Sequence, residues 1–189
     1  DTRKAIVASE KGLSADNWKL FAELGWLSIP FAEEHGGFGG NIVDLSVVME
    51  ELGKGLVVEP YFPTVVLFGG LIGRAGNEAQ QAEWLPRVIG GDVLGGFAYV
   101  ERQSRFALHD CLTTATPSGD GFVLNGEKVV VFNGEQADHL VVLARTSGEQ
   151  SDRTGLSLFI VEASAAGIDK MNYTMKDGQR VANVTFKEE

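Results

Sequence analysis

Gly90-Gly91-Asp92-Val93-Leu94-Gly95-Gly96-Phe97-Ala98-Tyr99-Val100 is the stretch on which the reading of this chain turns. Upstream of it, apolar residues recur at helical spacing. From Leu94 on, short β-branched and aromatic runs alternate with turn residues. The change of period places a boundary at Gly90-Gly91-Asp92. It divides the chain into a helical domain over residues 1–92 and an all-β domain over residues 93–189, an α+β fold class.

Working back from the boundary, Trp18, Phe21, Ala22 and Leu24 fall at helical spacing and Gly25 supplies a stop. Asn41 caps a helix whose Ile42, Leu45, Val48, Met49 and Leu52 form one apolar face, ended by Gly53 and Gly55. A third helix is expected from Tyr61 to Ile72. Asn77-Glu78-Ala79-Gln80 resembles a capping box opening a fourth, which Pro86 kinks or ends before Gly90-Gly91. Working forward, the expected strands are Gly96 to Val100, Leu112 to Thr116, Phe122 to Leu124, Lys128 to Phe132, Leu140 to Arg145, Leu156 to Val161 and Val181 to Phe186. Ser118-Gly119-Asp120-Gly121 and Asn125-Gly126 carry tight-turn chemistry, and Ser147 to Thr154 reads as a mobile polar loop. Short strands so closely spaced predict a β-sandwich or barrel.

Composition narrows the function. The 189 residues are 44% hydrophobic and 22% charged, ordinary for a globular chain. A net charge of −10 repels phosphate backbones and anionic headgroups, which argues against nucleic acid and membrane as partners. One cysteine, Cys111, and no C-x-x-C pair point to a reducing cytoplasm. The opening Asp1-Thr2-Arg3-Lys4, without Met, and the close on Thr185-Phe186-Lys187-Glu188-Glu189 both look like interior sequence.

Self-contained catalytic motifs are not found. Gly36-Gly37-Phe38-Gly39-Gly40 lacks the spacing of a phosphate loop and no strand precedes it, so a structural turn is expected. His35, His109 and His139 have no metal-ligand spacing to one another or to Cys111, and no metal site is expected. Glu33-Glu34 and Glu50-Glu51 are sequence neighbours that do not face each other on a helix. There is no G-x-S-x-G elbow.

Several segments in fixed order resemble the acyl-CoA dehydrogenase family. They are Glu23-Leu24-Gly25-Trp26-Leu27-Ser28-Ile29-Pro30 with Glu33-Glu34-His35-Gly36-Gly37-Phe38-Gly39-Gly40, then Val48-Met49-Glu50-Glu51-Leu52-Gly53, then Trp84-Leu85-Pro86 with Gly90-Gly91-Asp92. Phe97-Ala98-Tyr99-Val100-Glu101, Asn125-Gly126-Glu127-Lys128 and Ala144-Arg145-Thr146 follow. Glu101-Arg102-Gln103-Ser104-Arg105 and Asp177-Gly178-Gln179-Arg180 look closest to the small-subunit type of pimeloyl-CoA dehydrogenase.

The resemblance implies a helical domain, a middle β domain and a closing helical bundle absent from this chain. It implies FAD as cofactor, an acyl-CoA substrate oxidised to the trans-2-enoyl-CoA, an electron-transfer flavoprotein or similar acceptor, and a homo- or hetero-oligomer. It places Phe97, Tyr99, Val100, Glu101, Val130, Val131 and Phe132 at the flavin. Arg102, Ser104, Arg105 and Phe106 fall at the substrate mouth, and the catalytic base falls in the missing bundle. The family's usual residues change here: Thr becomes Val100, Pro becomes Arg102, Gly-Ser becomes Arg105-Phe106, and Trp-Ile-Thr becomes Val130-Val131-Phe132. The two arginines suggest attraction of a CoA phosphate or a distal carboxylate; the competing reading pairs them with Glu101 or Asp110. Four functional readings stay open: a dehydrogenase; a weakly catalytic or non-catalytic partner subunit; an oxidase or monooxygenase on the same scaffold; and an interaction module without cofactor. The enzymatic readings require the strands starting near Phe97 and Lys128 to lie side by side.

Overall fold

The computed structural model describes residues 2–187. The chain forms two compact units. One takes the chain up to Gly95 together with Lys176–Gln179; the other takes Gly96–Met175 and the chain from Arg180 on.

The helical unit contains α1 (Thr2–Ala8), α2 (Ala15–Glu23), α3 (Ile42–Lys54), a π-helical stretch (Phe62–Gly69), α4 (Gly70–Ala75) and α5 (Glu78–Ile89). The caps act as the residue types require. Ser14 accepts the Asn17 N–H at the start of α2. Asn41 with Asp44, and Asn77 with Gln80, close reciprocal capping boxes on α3 and α5. On α3 only Leu45 and Leu52 are buried; Ile42, expected on the apolar face, is exposed. Gly53 lies inside α3, and Gly55 ends it. The third expected helix is present but wound as a π-helix that tightens into α4. Pro86 does not end α5, which runs on to Ile89. It sits in the last turn, where losing one N–H is least disruptive.

The core of this unit gathers Leu27, Phe31, Val65, Phe68, Leu85 and Val88. The glycine run is a turn packed too closely for side chains. A Cβ on Gly37 would sit 2.0 Å from the Phe31 carbonyl oxygen. No helix among the described residues is long and apolar enough to cross a membrane.

Among the described residues the β unit has seven strands: β1 (Gly95–Ala98), β2 (Thr114–Ser118), β3 (Gly121–Phe132), β4 (His139–Arg145), β5 (Leu156–Glu162), β6 (Ile168–Thr174) and β7 (Arg180–Phe186). They follow the path β1-β4-β2-β3-β7-β6, with β5 added on β4, so the sheet is mixed and does not close into a barrel. Two of the expected strands are one: β3 passes straight through Asn125-Gly126, which is not a turn. Its first part pairs with β2 and its second with β7, which carries it between two ladders. The turn expected at Ser118–Gly121 does close the β2–β3 hairpin. β6 was not anticipated, and it pairs with β7 at every position from Ile168 to Thr174. Ala98, Val131, Leu140, Val142, Ala182, Val184 and Phe186 form the core of this unit.

Candidate functional site

β1 and its continuation run beside the second half of β3. The Val129 N–H donates to the Val100 carbonyl at 2.8 Å. Gly96 allows the approach, since a Cβ there would meet the Phe132 carbonyl oxygen at 2.9 Å and Leu140 Cδ2 at 3.0 Å. Phe97 and Tyr99, two residues apart on an extended segment, point the same way and stack with ring centroids 4.6 Å apart and planes 21° off parallel. Val130 and Phe132 lie on the neighbouring segment, and Val130 is 37% exposed.

Beneath these residues sits a buried ion pair. Lys128 Nζ donates to Glu101 Oε1 at 2.7 Å, with the two side chains 0% and 3% exposed. Glu101 Oε1 also accepts the Thr113 N–H at 3.0 Å and the Thr113 hydroxyl at 2.7 Å. Its Oε2 accepts the Leu112 N–H and the Gln103 amide, both at 2.7 Å. Burial alone pushes the Glu101 carboxyl up, but the bonds from Lys128, Thr113, Gln103 and Leu112 together outweigh it and hold it down at about 2. Cys111 Sγ lies 3.4 Å from the same carboxylate and 3.5 Å from Lys128 Nζ. Burial pushes its thiol up, so it stays protonated and unreactive.

A second buried cation, Arg145, braces the neighbouring loops. The five N–H groups of its guanidinium lie within hydrogen-bond reach of six backbone carbonyls, Nη2 sharing two hydrogens among three: Cys111 (3.2 Å), His109 (2.9 Å), Ser147 (3.2 Å), Gln150 (2.9 Å), Asp152 (3.0 Å) and Thr154 (3.0 Å). The loop expected to be mobile is thus pinned along its length, and the Cys111 N–H adds a bond to Gln150 O at 3.0 Å.

The residues singled out from sequence separate into groups. Phe97, Tyr99, Val100, Val130 and Phe132 share the two adjoining segments. The Val131 side chain points into the core. The Glu101 side chain is committed to the ion pair. Arg102 is held by Glu127, at 2.9 and 3.3 Å, rather than by either acid considered. Ser104 is spent on a turn: its hydroxyl accepts the Glu101 N–H and donates to the Glu101 carbonyl. Arg105, at the family's glycine position, takes a φ of 46°, and Phe106 beside it is 99% exposed. Lys128, Thr113 and Arg145 received no role from sequence. Lys128 carried a signal: it opens the β-branched run Val129-Val130-Val131, and a lysine buried in such a strand needs a buried acid.

Two domain families match. The acyl-CoA dehydrogenase N-terminal domain covers residues 3–92 and the acyl-CoA dehydrogenase middle domain covers residues 96–188. A short-chain specific acyl-CoA dehydrogenase from Clostridium acetobutylicum is 29% identical over 90% of this chain and 45% of its own length. The mitochondrial long-chain specific acyl-CoA dehydrogenase of Rattus norvegicus is 31% identical over 89% of this chain and 40% of its own. Among solved structures, the Tcur3481-Tcur3483 steroid ACAD superposes with a TM-score of 0.85 at 26% identity, covering 99% of this chain and 49% of that one. The chain therefore spans about half the length, or less, of the relatives it matches. With both domain matches in order along nearly its whole length, this chain belongs to the acyl-CoA dehydrogenase family.

Proposed function

We propose that the full-length protein is a FAD-dependent acyl-CoA dehydrogenase and that the β unit described here supplies one wall of its ring site. The observation that carries this reading is the juxtaposition of Phe97–Glu101 with Lys128–Phe132 through the Val129–Val100 bond. The residues fit a flat, largely apolar group: a stacked aromatic pair, an exposed Val130 and a half-buried Phe132, next to a buried ion pair. When bound, FAD supplies the acceptor for the two electrons that leave the acyl chain as a hydride from the β-carbon, while the α-carbon loses a proton. Val100, Val130 and Phe132 exclude water from that face and contribute no side-chain hydrogen bond. Glu101 is not the base that removes the α-proton. A carboxyl held at about 2 and already accepting from Lys128, Thr113, Leu112, Gln103 and Cys111 has no basicity to give at neutral pH.

Arg105 and Phe106 are our candidates for the substrate mouth, because Arg102 and Ser104 are engaged within the unit. Arg105 would attract a CoA phosphate or a distal carboxylate of a dicarboxylyl-CoA. Arg105→Glu in the full-length protein is expected to weaken acyl-CoA binding by about tenfold, more at low salt. Unchanged affinity at low salt removes Arg105 from the mouth. The single buried thiol agrees with a cytoplasmic enzyme, an electron-transfer flavoprotein is the expected acceptor, and an oligomer is the expected assembly.

A second reading, a partner subunit with weak or no catalysis, is favoured by one observation. The Val130 N–H is already donated to Asn183 Oδ1 at 3.1 Å, and positions 100 and 132 bring no hydroxyl. Titrating the purified full-length protein with FAD separates the two. Dehydrogenase function predicts a visible flavin band that one of a panel of acyl-CoAs bleaches anaerobically. A band that no acyl-CoA bleaches supports the partner-subunit reading, and no band at saturating FAD overturns the flavoprotein reading. Oxygen consumption during turnover would reassign the enzyme as an oxidase.

A further inference from the structure

Val130 is a β-branched residue with a φ of 53°. Such residues avoid this region because the branched Cβ crowds the backbone, and they persist there only when the surroundings over-determine the conformation. The cause is a bulge in β3. Lys128 pairs with Val184 and Val131 with Ala182, so Val129 and Val130 together face the single residue Asn183. Asn183 is buried, and its Oδ1 accepts both the Val130 N–H and the Tyr173 hydroxyl, each at 3.1 Å. On the near side the bulge is anchored by Lys128 in its ion pair and by the Val129–Val100 bond. Beyond it, the Gly134 N–H donates to the Val131 carbonyl at 3.0 Å.

We infer that Asn183 and Tyr173 are positioning residues: they hold the β3 bulge in the conformation that presents Val130 to the ring. The inference rests on the flavin reading above. Bulges re-aim a side chain, and Val130 is the exposed member of this one. A strained residue would relax if its N–H lost its acceptor, and the wall would then lose its shape before the fold lost its core. Asn183 and Tyr173 come from β7 and from β6, the strand that local composition hid, and neither is near Val130 in sequence.

The test is a double-mutant cycle read by FAD binding in the full-length protein, using fluorescence quenching on titration and the position of the bound-flavin absorbance band. Asn183→Leu keeps the volume and removes the acceptor, and is expected to weaken FAD by about tenfold and shift the band. Asn183→Asp keeps an acceptor and should stay within about threefold of the unmutated protein. Val130→Gly removes the conformational penalty, since glycine takes positive φ freely. In a Val130→Gly background, Asn183→Leu should therefore cost less than about threefold. Tyr173→Phe is the milder probe should Asn183→Leu fail to fold, with a loss of about threefold that Val130→Gly likewise suppresses. Equal losses in the two backgrounds would mean a merely structural hydrogen bond and overturn the inference, as would FAD binding unaffected by Asn183→Leu. If the unmutated protein does not bind FAD at all, the flavin reading itself is what has failed, and the inference falls with it.

Discussion

Lys128→Met is expected to be the most damaging single change in the β unit, costing roughly 3–5 kcal/mol. The substitution fits the volume of the stem but leaves Glu101, 3% exposed, without its cation. The carboxylate would keep its bonds from Thr113, Leu112 and Gln103, yet these were arranged around a pair and do not neutralise a buried charge. Two further results separate this cause from simple loss of packing. First, Glu101→Gln added to Lys128→Met should recover more than half of the lost stability, because a neutral amide needs no counter-ion. Second, the loss should depend on pH. In the unmutated protein the carboxyl is depressed from 4.5 to about 2, so its stabilisation is fully present above 4.5 and is lost as pH falls toward 2. In Lys128→Met the orphaned carboxyl can escape by taking up a proton. The gap to the unmutated protein in urea midpoint should therefore be widest near about pH 7 and narrow toward about pH 4. A gap that stays constant over that interval would show that the buried charge is not the cause.

Arg145→Met should approach the same scale, on the order of 3–4 kcal/mol, since each buried carbonyl left without a donor costs about 1–3 kcal/mol and water can reach some of them. The guanidinium serves six carbonyls from the segments on either side of it, and Cys111 and His109 belong to the same stretch that delivers Leu112 and Thr113 to Glu101. The effect should extend beyond stability. With Arg145 removed, amides of Cys111 to Thr113 and of Ser147 to Thr154 are expected to exchange hydrogen faster than the rest of the β unit. Arg145→Lys should rescue little, because an ammonium has three donors in a compact cluster and cannot span a fork of carbonyls. Full rescue by lysine would mean that charge alone, and not the planar five-donor geometry, organises these loops.

Both residues belong to the part of the molecule that local reading handled worst, and the reason is the same in each case. Caps and tight turns are settled by chemistry within a few residues. Asn41 and Asn77 close their capping boxes, and Ser118–Gly121 makes its hairpin, as the residue types alone required. The order of motifs was likewise enough to place the chain in its family.

Asn125-Gly126 is different. In isolation the pair reads as a hairpin turn, but here it lies within β3. Gly126, with a φ of 150°, serves close packing: a Cβ would come within 2.6 Å of Thr113 Oγ1. β6, Ile168-Asp169-Lys170-Met171-Asn172-Tyr173-Thr174, has too few β-branched residues to announce a strand, and its pairing with β7 makes it one. Glu101 was expected at the flavin, and only the fold shows it paired instead with Lys128, 27 positions away and 2.7 Å distant.

The amino-acid order by itself determined how α3 and α5 are capped, that helices precede strands and which family the chain joins, because propensity, capping and apolar period act between near neighbours. Tertiary structure alone decided that Lys128 and Arg145 are interior cations and that Val130 is strained opposite Asn183. Burial, ion pairing and bulge geometry arise between residues far apart in the chain, and no window of sequence contains both partners.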